Sequence, residues 1–293
     1  MSKTIDPGFS LIQSVLHPTD FSEGSLVAFH HALKTAMLAR SMLTLLHVST
    51  DKDKDLGWLD FPGVRETLER WEVLPKGSER SAVATLGINA RKVVAHEGGP
   101  VDAVMRYLER HPTDLIVLST SQREGHLRWL GKSVSGPVTR KSGEMTLLIP
   151  GDAKGFIGAE DGSVKLNKIL IPIASTPRPE PALHSAALLV RRLQAPVGTF
   201  VVLHVGSSSA MPALRFPEVD GWNWKKASRT GEVIDGIVKT AQEQEVDLIV
   251  MSTDGRNGFL DGLRGSHSER VLRYGAAPLL TVPVGSRVSR YLG

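Results

Sequence analysis

The stretch DLIVLST at residues 114–120 returns as DLIVMST at residues 247–253, an offset of 133 (247 − 114). Each copy sets four apolar residues in a row with no polar alternation. That suits a strand buried on both faces, and such strands belong to parallel sheets. Two further echoes extend the repeat. TLLHV at residues 44–48 matches VVLHV at residues 201–205, an offset of 157 (204 − 47) between the histidines. More weakly, VLHPTD at residues 15–20 matches ILIPIA at residues 169–174, each at the start of its half. The chain reads as one unit written twice, with the second copy about 24 residues shorter between these points.

Working outward, the first half predicts strands near residues 11–17, 42–48, 91–96, 114–119 and 145–149. The second predicts them near 167–173, 198–205, 222–227, 247–252 and 278–283. Between them lie apolar residues at spacings of three and four: Leu26, Phe29, Leu33, Ala36 and Met37, then Val101, Val104, Met105 and Leu108, and later Val233, Ile237 and Ala241. Each set places one apolar stripe on a helix. Alternating strands and helices give an α/β fold, here two tandem open parallel-sheet, Rossmann-like domains at residues 1–150 and 151–293. The missing stretch of the second copy corresponds to residues 61–74, which hold the helical pattern VRETLERWEVL, and its replacement at 206–221 reads as a loop. Residues 150–163, with Gly151, Gly155, Gly158 and Gly162 and few large apolar side chains, read as a linker that buries little surface.

Composition narrows the function classes. The 293 residues carry 35 Lys and Arg against 31 Asp and Glu, a net charge of +4, which demands no polyelectrolyte partner. With no cysteine there is no disulfide framework and no thiolate metal or redox site. No signal-peptide pattern opens the chain and no run approaches ~18 apolar residues. The expectation is a soluble, cytoplasmic protein without nucleic-acid or membrane partners.

In open parallel sheets ligands sit at the carboxyl ends of the strands, where loops lead into helix N-termini. After the fourth strand of the second half the chain runs STDGRNGFLDGLRGSHSERVL, residues 252–272. Gly255, Gly258, Gly262 and Gly265 let backbone amides approach an anion, and Arg256 and Arg264 add charge. Ser266 with Glu269 has the spacing of a capping box, so free N–H groups at the positive end of a helix favour a phosphate there. The same features also fit a ligand-free glycine-rich loop with a capped helix. Neither G-x-x-x-x-G-K-[ST] nor G-x-G-x-x-G occurs.

With LHPTDFSEGS at residues 16–25, the LLHV strand end, the two DLIV strands, and Gly255 separated by nine residues from Gly265-Ser266, the sequence resembles the universal stress protein family over nearly its whole length as a tandem pair. The resemblance implies an adenine-nucleotide α-hydrolase-like fold. It also implies a G-x-x-G-x(9)-G-[ST] phosphate motif after the fourth strand, an acidic residue after the first strand near the nucleoside, and a valine closing the second strand near the base. In the second half Gly255, Gly265 and Ser266 match that motif. Ser252 stands at its first glycine and Ala174 replaces the acid. The nucleotide set implied there is Pro172, Ile173, Ala174, Val205, Met251, Ser252, Asp254, Gly255, Gly265, Ser266, His267 and Ser268. In the first half Pro18, Thr19, Asp20 and Val48 match the nucleoside end, while Ser119, Gln122 and Lys132 occupy glycine positions and only Ser133 of the phosphate end remains. The second half is therefore the expected ATP site, with Mg as an optional companion, and ligand would act by ordering the loop from Thr253 to Arg264. The first half keeps a nucleoside end anchored through Asp20.

No catalytic residue is assigned: no nucleophile elbow, acid–base pair or phosphate-loop lysine is visible. The ten histidines do not suggest a metal site, since His30 and His31 are sequential on a helix and no H-E-x-x-H occurs. His47 and His204, at matching strand positions, read as packing or satisfied structural residues. Trp222 and Trp224 share a strand face and read as packing before ligand stacking. The leading expectation is an internal pseudo-dimer binding an adenine nucleotide in stress response or signalling, compatible with a protein partner and with a homodimer. A nucleotide-free scaffold with decayed sites is the alternative, and a slow ATP-hydrolysing enzyme ranks third.

Overall fold

A computed structural model describes residues 11–49, 60–96, 98–120, 134–254, 267, 270–271 and 277–292. All ten predicted strands are present: β1 (Ser14–Thr19), β2 (Met42–Val48), β3 (Asn89–Ala95), β4 (Leu115–Thr120), β5 (Met145–Pro150), β6 (Lys168–Ile173), β7 (Gly198–Val205), β8 (Trp222–Arg229), β9 (Leu248–Thr253) and β10 (Leu279–Pro283). They form one sheet in the order β3-β2-β1-β4-β5-β10-β9-β6-β7-β8. Within each half every pairing is parallel, and the halves meet where β10 runs antiparallel to β5 with Leu279 opposite Leu148. The internal pair is thus a single ten-stranded sheet.

Eight helices flank it among the described residues: α1 (Glu23–Ala39), α2 (Val64–Arg70), α3 (Ala82–Thr85), α4 (Pro100–Arg110), α5 (Ser135–Ser142), α6 (Glu180–Leu193), α7 (Val233–Glu243) and α8 (Arg287–Leu292). Successive strand residues point to opposite faces. Val15, Val117, Ile171 and Val250 pack in one core with α1, α2, α6 and α8. Leu16, Ile116, Leu170 and Ile249 pack in a second core with α4, α5 and α7. This accounts for the unbroken apolar runs. The predicted helix stripes hold from their second turn onward, whereas Leu26 and Val233, in the first turns of α1 and α7, are exposed. The edge strands carry Arg91 and Lys92 on β3 and Lys225 and Lys226 on β8, charges that discourage a further strand from pairing there.

The aspartate of each DLIV repeat has a structural task. Asp114 Oδ2 accepts the backbone N–H groups of Gln13 (2.9 Å) and Ser14 (3.0 Å). Asp247 Oδ2 does the same for Asn167 (2.7 Å) and Lys168 (2.8 Å). Each carboxylate clasps the entry of the fourth strand to that of the first, satisfying donors no neighbouring strand reaches. Arg287, at the start of α8, lies 3.4 Å from Asp114 Oδ1 and so ties the end of the second half to the base of the first.

The expected linker is corrected. Phe156 and Ile157 are 2% and 3% exposed and belong to the core around α1 and α2. The Phe156 N–H donates to His31 Nε2 at 3.0 Å, and its ring meets the His31 ring edge-on at 4.5 Å. Trp71 Nε1 donates to the Ala159 carbonyl. Two glycines permit this approach. At Gly155, with φ of 66°, a Cβ would come within 2.2 Å of His31, and at Gly162, with φ of 63°, within 2.5 Å of Trp71. Glycine in this stretch serves close packing rather than flexibility. The 206–221 replacement is a loop with a 3-10 turn at Ser208–Ala210, as expected.

Candidate functional site

The strand order reverses between β1 and β4 in the first half and between β6 and β9 in the second, the place where open sheets form a crevice. The clasping aspartates hold one end of each crevice shut. β1 and β4 pair only at Val15↔Leu115 and Leu16↔Ile116, and β6 and β9 only at Ile169↔Leu248 and Leu170↔Ile249. Beyond those pairs the carboxyl ends of the strands have no ladder between them.

In the first half that gap is filled from within. His17 is wholly buried, and its Nδ1 donates to the Val117 carbonyl across the gap at 2.9 Å. Burial pulls its pKa down to about 4, against the Val117 carbonyl, which favours the protonated ring. The matching residue of the second half is Ile171, which cannot make such a bridge. Thr19 Oγ1 accepts from Ser25 Oγ (2.9 Å) and from the Phe21 N–H (3.1 Å). Asp20 is exposed, and its Oδ1 accepts from the Ser22 N–H (3.1 Å) and hydroxyl (2.6 Å). Ser22 in turn caps α1 by accepting from the Ser25 N–H. Pro18 is half-buried, and Val48 is buried in the core with α4 and α5. Ser133, Gln122 and Lys132 lie outside the described residues.

Sequence reading missed the aromatic group above β2. Phe21, in left-handed backbone conformation with φ of 61°, stacks on His47 with ring centroids 4.2 Å apart, and Phe61 meets Phe21 edge-on at 5.2 Å. No periodicity announces this contact, because Phe21 and Phe61 both lie outside the strands and helices. The sequence reading of His47 as satisfied holds for half of its ring: Nδ1 donates to the Thr19 carbonyl at 2.9 Å, while Nε2 is buried without a partner.

In the second half the mouth of the crevice is built from smaller groups. Ala174 and Asp254 are exposed, Pro172, Val205 and Ser252 are half-buried, and Ile173 and Met251 are buried. Val205 faces Gly236 of α7, where a Cβ would come within 2.9 Å of its side chain. Ser252 Oγ accepts the Ala182 N–H at 3.1 Å, so the serine at the first motif glycine caps the first turn of α6, whose own N-cap, Pro179, provides no side-chain acceptor. His204 repeats His47: Nδ1 lies 3.4 Å from the Ile173 carbonyl and Nε2 is buried without a partner. Gly255, Gly265, Ser266 and Ser268, and with them the loop to Arg264, lie outside the described residues. His267 is exposed and helical.

The tryptophans pack, as expected. Trp222 donates to the Ala195 carbonyl, and Trp224 lies stacked between Phe200 and Phe216. Among the described residues no group of three His, Asp or Glu side chains is placed to hold a metal ion, and no helix is long and apolar enough to cross a membrane.

Two α/β units built on one template and joined edge to edge, each with its crevice at the strand carboxyl ends, define a tandem Rossmann-like protein. The model of the universal stress protein family matches residues 12–150 and again 165–283, and the chain belongs to that family. Among solved structures it is similar to a universal stress protein from Archaeoglobus fulgidus DSM 4304, at 18% identity and a TM-score of 0.58 over 94% of this chain and 99% of that one. A functionally unknown protein from Pseudomonas aeruginosa PAO1 follows it at 13% identity and 0.57, over 96% and 95% of the two chains. The cytoplasmic domain of a prokaryotic cation chloride cotransporter is similar at 12% identity and 0.53, over 95% and 98%. At such identities the likeness is one of fold. No curated protein matches the chain.

Proposed function

We propose that the second half binds ATP or a related adenine nucleotide as a signalling or stabilising ligand in a stress response, inside the cell. The observation that carries this reading is the open end between β6 and β9, where the ladder stops at Leu170 and Ile249 and the chain passes from Asp254 directly into the glycine-rich stretch. Backbone amides of that stretch would hold the phosphates, and Mg, where present, would ride on the phosphate oxygens. Calorimetric titration of the full chain with ATP tests this. Gly265→Asp places a carboxylate and a side chain in the phosphate loop and is expected to weaken binding at least tenfold. Equal affinity in both proteins would remove the site assignment.

The second reading, a nucleotide-free docking protein, is favoured by Ser252, whose hydroxyl is already engaged by α6, and by Ala174, which provides no carboxylate. Mass spectrometry of small molecules copurifying with the protein separates the two.

A further inference from the structure

The segments that follow β5 and β10 begin alike and end differently. The Gly151 N–H donates to the Thr120 carbonyl at 2.8 Å and the Val284 N–H to the Thr253 carbonyl at 2.9 Å, so each turn holds the last residue of the neighbouring fourth strand. After β5 the chain lies back over α1 of its own half, where Phe156 meets His31. After β10 it forms α8. Ser289 Oγ donates to the Val284 carbonyl at 2.8 Å, and Ser286 Oγ accepts the Ser289 N–H at 3.2 Å. Both serines are buried, and Val288 between them joins the core that includes α6. The turn and α8 are therefore one piece. With six residues, α8 is too short to keep its helical form alone, so its order comes from what it docks on.

Arg287 docks it on the other half. Its Nε lies 3.4 Å from Asp114 Oδ1, and its backbone N–H donates to Glu144 Oε2 at 3.4 Å. Asp114 is buried. Burial pushes the Glu144 carboxyl above its usual range; the Arg287 N–H opposes this, Asp114 adds to it, and the charges of Arg287 and Arg290 oppose it. Carboxylates so placed are screened less than those of an open surface pair. Four residues past the proline that ends β5, the place of Arg287 is taken by Lys154, which is exposed. Among the described residues Asp247 enters no ion pair. The grip is one-sided: the first half holds the end of the second and is not held in the same way.

We infer that α8 is a strap through which the first half sets the order of the crevice mouth in the second. Asp114 and Glu144 grip Arg287, α8 fixes the turn at Val284, and Val284 fixes the end of β9, from which the chain enters the glycine-rich stretch. The path is an unbroken run of hydrogen bonds and packed side chains, with Arg287 as its positioning residue. The strap itself needs no ligand, and only its effect on ligand rests on the nucleotide reading given above.

Hydrogen exchange of the full chain tests the strap. Val284 reports at its end, and Ile249, whose N–H donates to the Pro278 carbonyl, reports at the far end of the same strand pair. Arg287→Ala is expected to speed Val284 exchange about tenfold and to leave Ile249 unchanged. Glu144→Gln should act in the same direction, and the double variant should lose no more than Arg287→Ala alone. Arg287→Lys, which keeps the charge, should recover part of the protection. ATP should bind Arg287→Ala about threefold more weakly than the unsubstituted protein. Unchanged Val284 exchange, equal speeding at Ile249, or additive losses in the double variant would overturn the strap. Faster Val284 exchange with unaltered ATP affinity would overturn its role at the crevice mouth. If the unsubstituted protein does not bind ATP, the nucleotide reading falls and the exchange data alone decide the strap.

Discussion

The first half buries His17, His30, His31 and His47, whereas none of the described histidines of the second half is buried. His17, His30 and His31 are all buried within the first half, with pKa values drawn down to about 4 mainly by loss of hydration. In His31 the Phe156 N–H requires an unprotonated Nε2, and in His30 the Arg70 guanidinium donates to Nε2 at 3.0 Å. In the second half, Ile171 replaces His17, and His184 on α6 is partly exposed. One sheet template therefore supports a half whose outer layers are closed by neutral imidazoles and by the 150–163 segment, and another whose crevice floor is aliphatic. Equivalent strands do not dictate equivalent loops, because what covers a strand end is chosen by residues outside the repeat.

The largest expected effect that tests this contrast is with acid. Each of the three imidazoles is neutral when folded, while in the unfolded chain it takes a proton near its ordinary value of 6.5. Between pH 6.5 and 4 the unfolded state binds more protons. The stability these groups contribute is complete above pH 6.5 and lost as pH falls toward 4, with a slope of at most about 4 kcal/mol per pH unit for three protons. Urea melts across that range, with hydrogen exchange resolved by half, should show α1 losing protection before α6. Loss at the same pH in both halves would break the comparison.

The packed segment comes next. Phe156→Ala should cost about 3–5 kcal/mol in chemical denaturation, as for other buried aromatic rings. A cost below about 1 kcal/mol would mean that this stretch is a tether after all. The clasps give the smallest effect and sharpen the comparison. Asp114→Ala and Asp247→Ala each strand two backbone donors and should cost about 1–3 kcal/mol. Asp114, which is 5% exposed and also faces Arg287, should cost more than the half-buried Asp247. The reverse order would show that water, not Arg287, decides the strength of the clasp.

Much of the fold was legible from short-range patterns. The apolar runs at residues 115–118 and 248–251 and the helical spacings after them located the strands within a few residues. The site was less legible. Ser252 could be named as a departure from the glycine motif, but its bond to Ala182 joins residues 70 positions apart. Glycine content alone reads as slackness in residues 150–163, whereas Gly155 and Gly162 make room for His31 and Trp71, which lie far away in sequence.

By itself the sequence determined that there are two copies of a parallel α/β unit, because burial on both faces imposes a local composition on each strand. Only the tertiary structure decided that β5 and β10 fuse the copies into one sheet, that residues 150–163 join the core, and that Phe21 stacks on His47. Those outcomes depend on which distant surfaces meet, and a ring or a strand edge carries no mark in its own neighbourhood of the partner it will find.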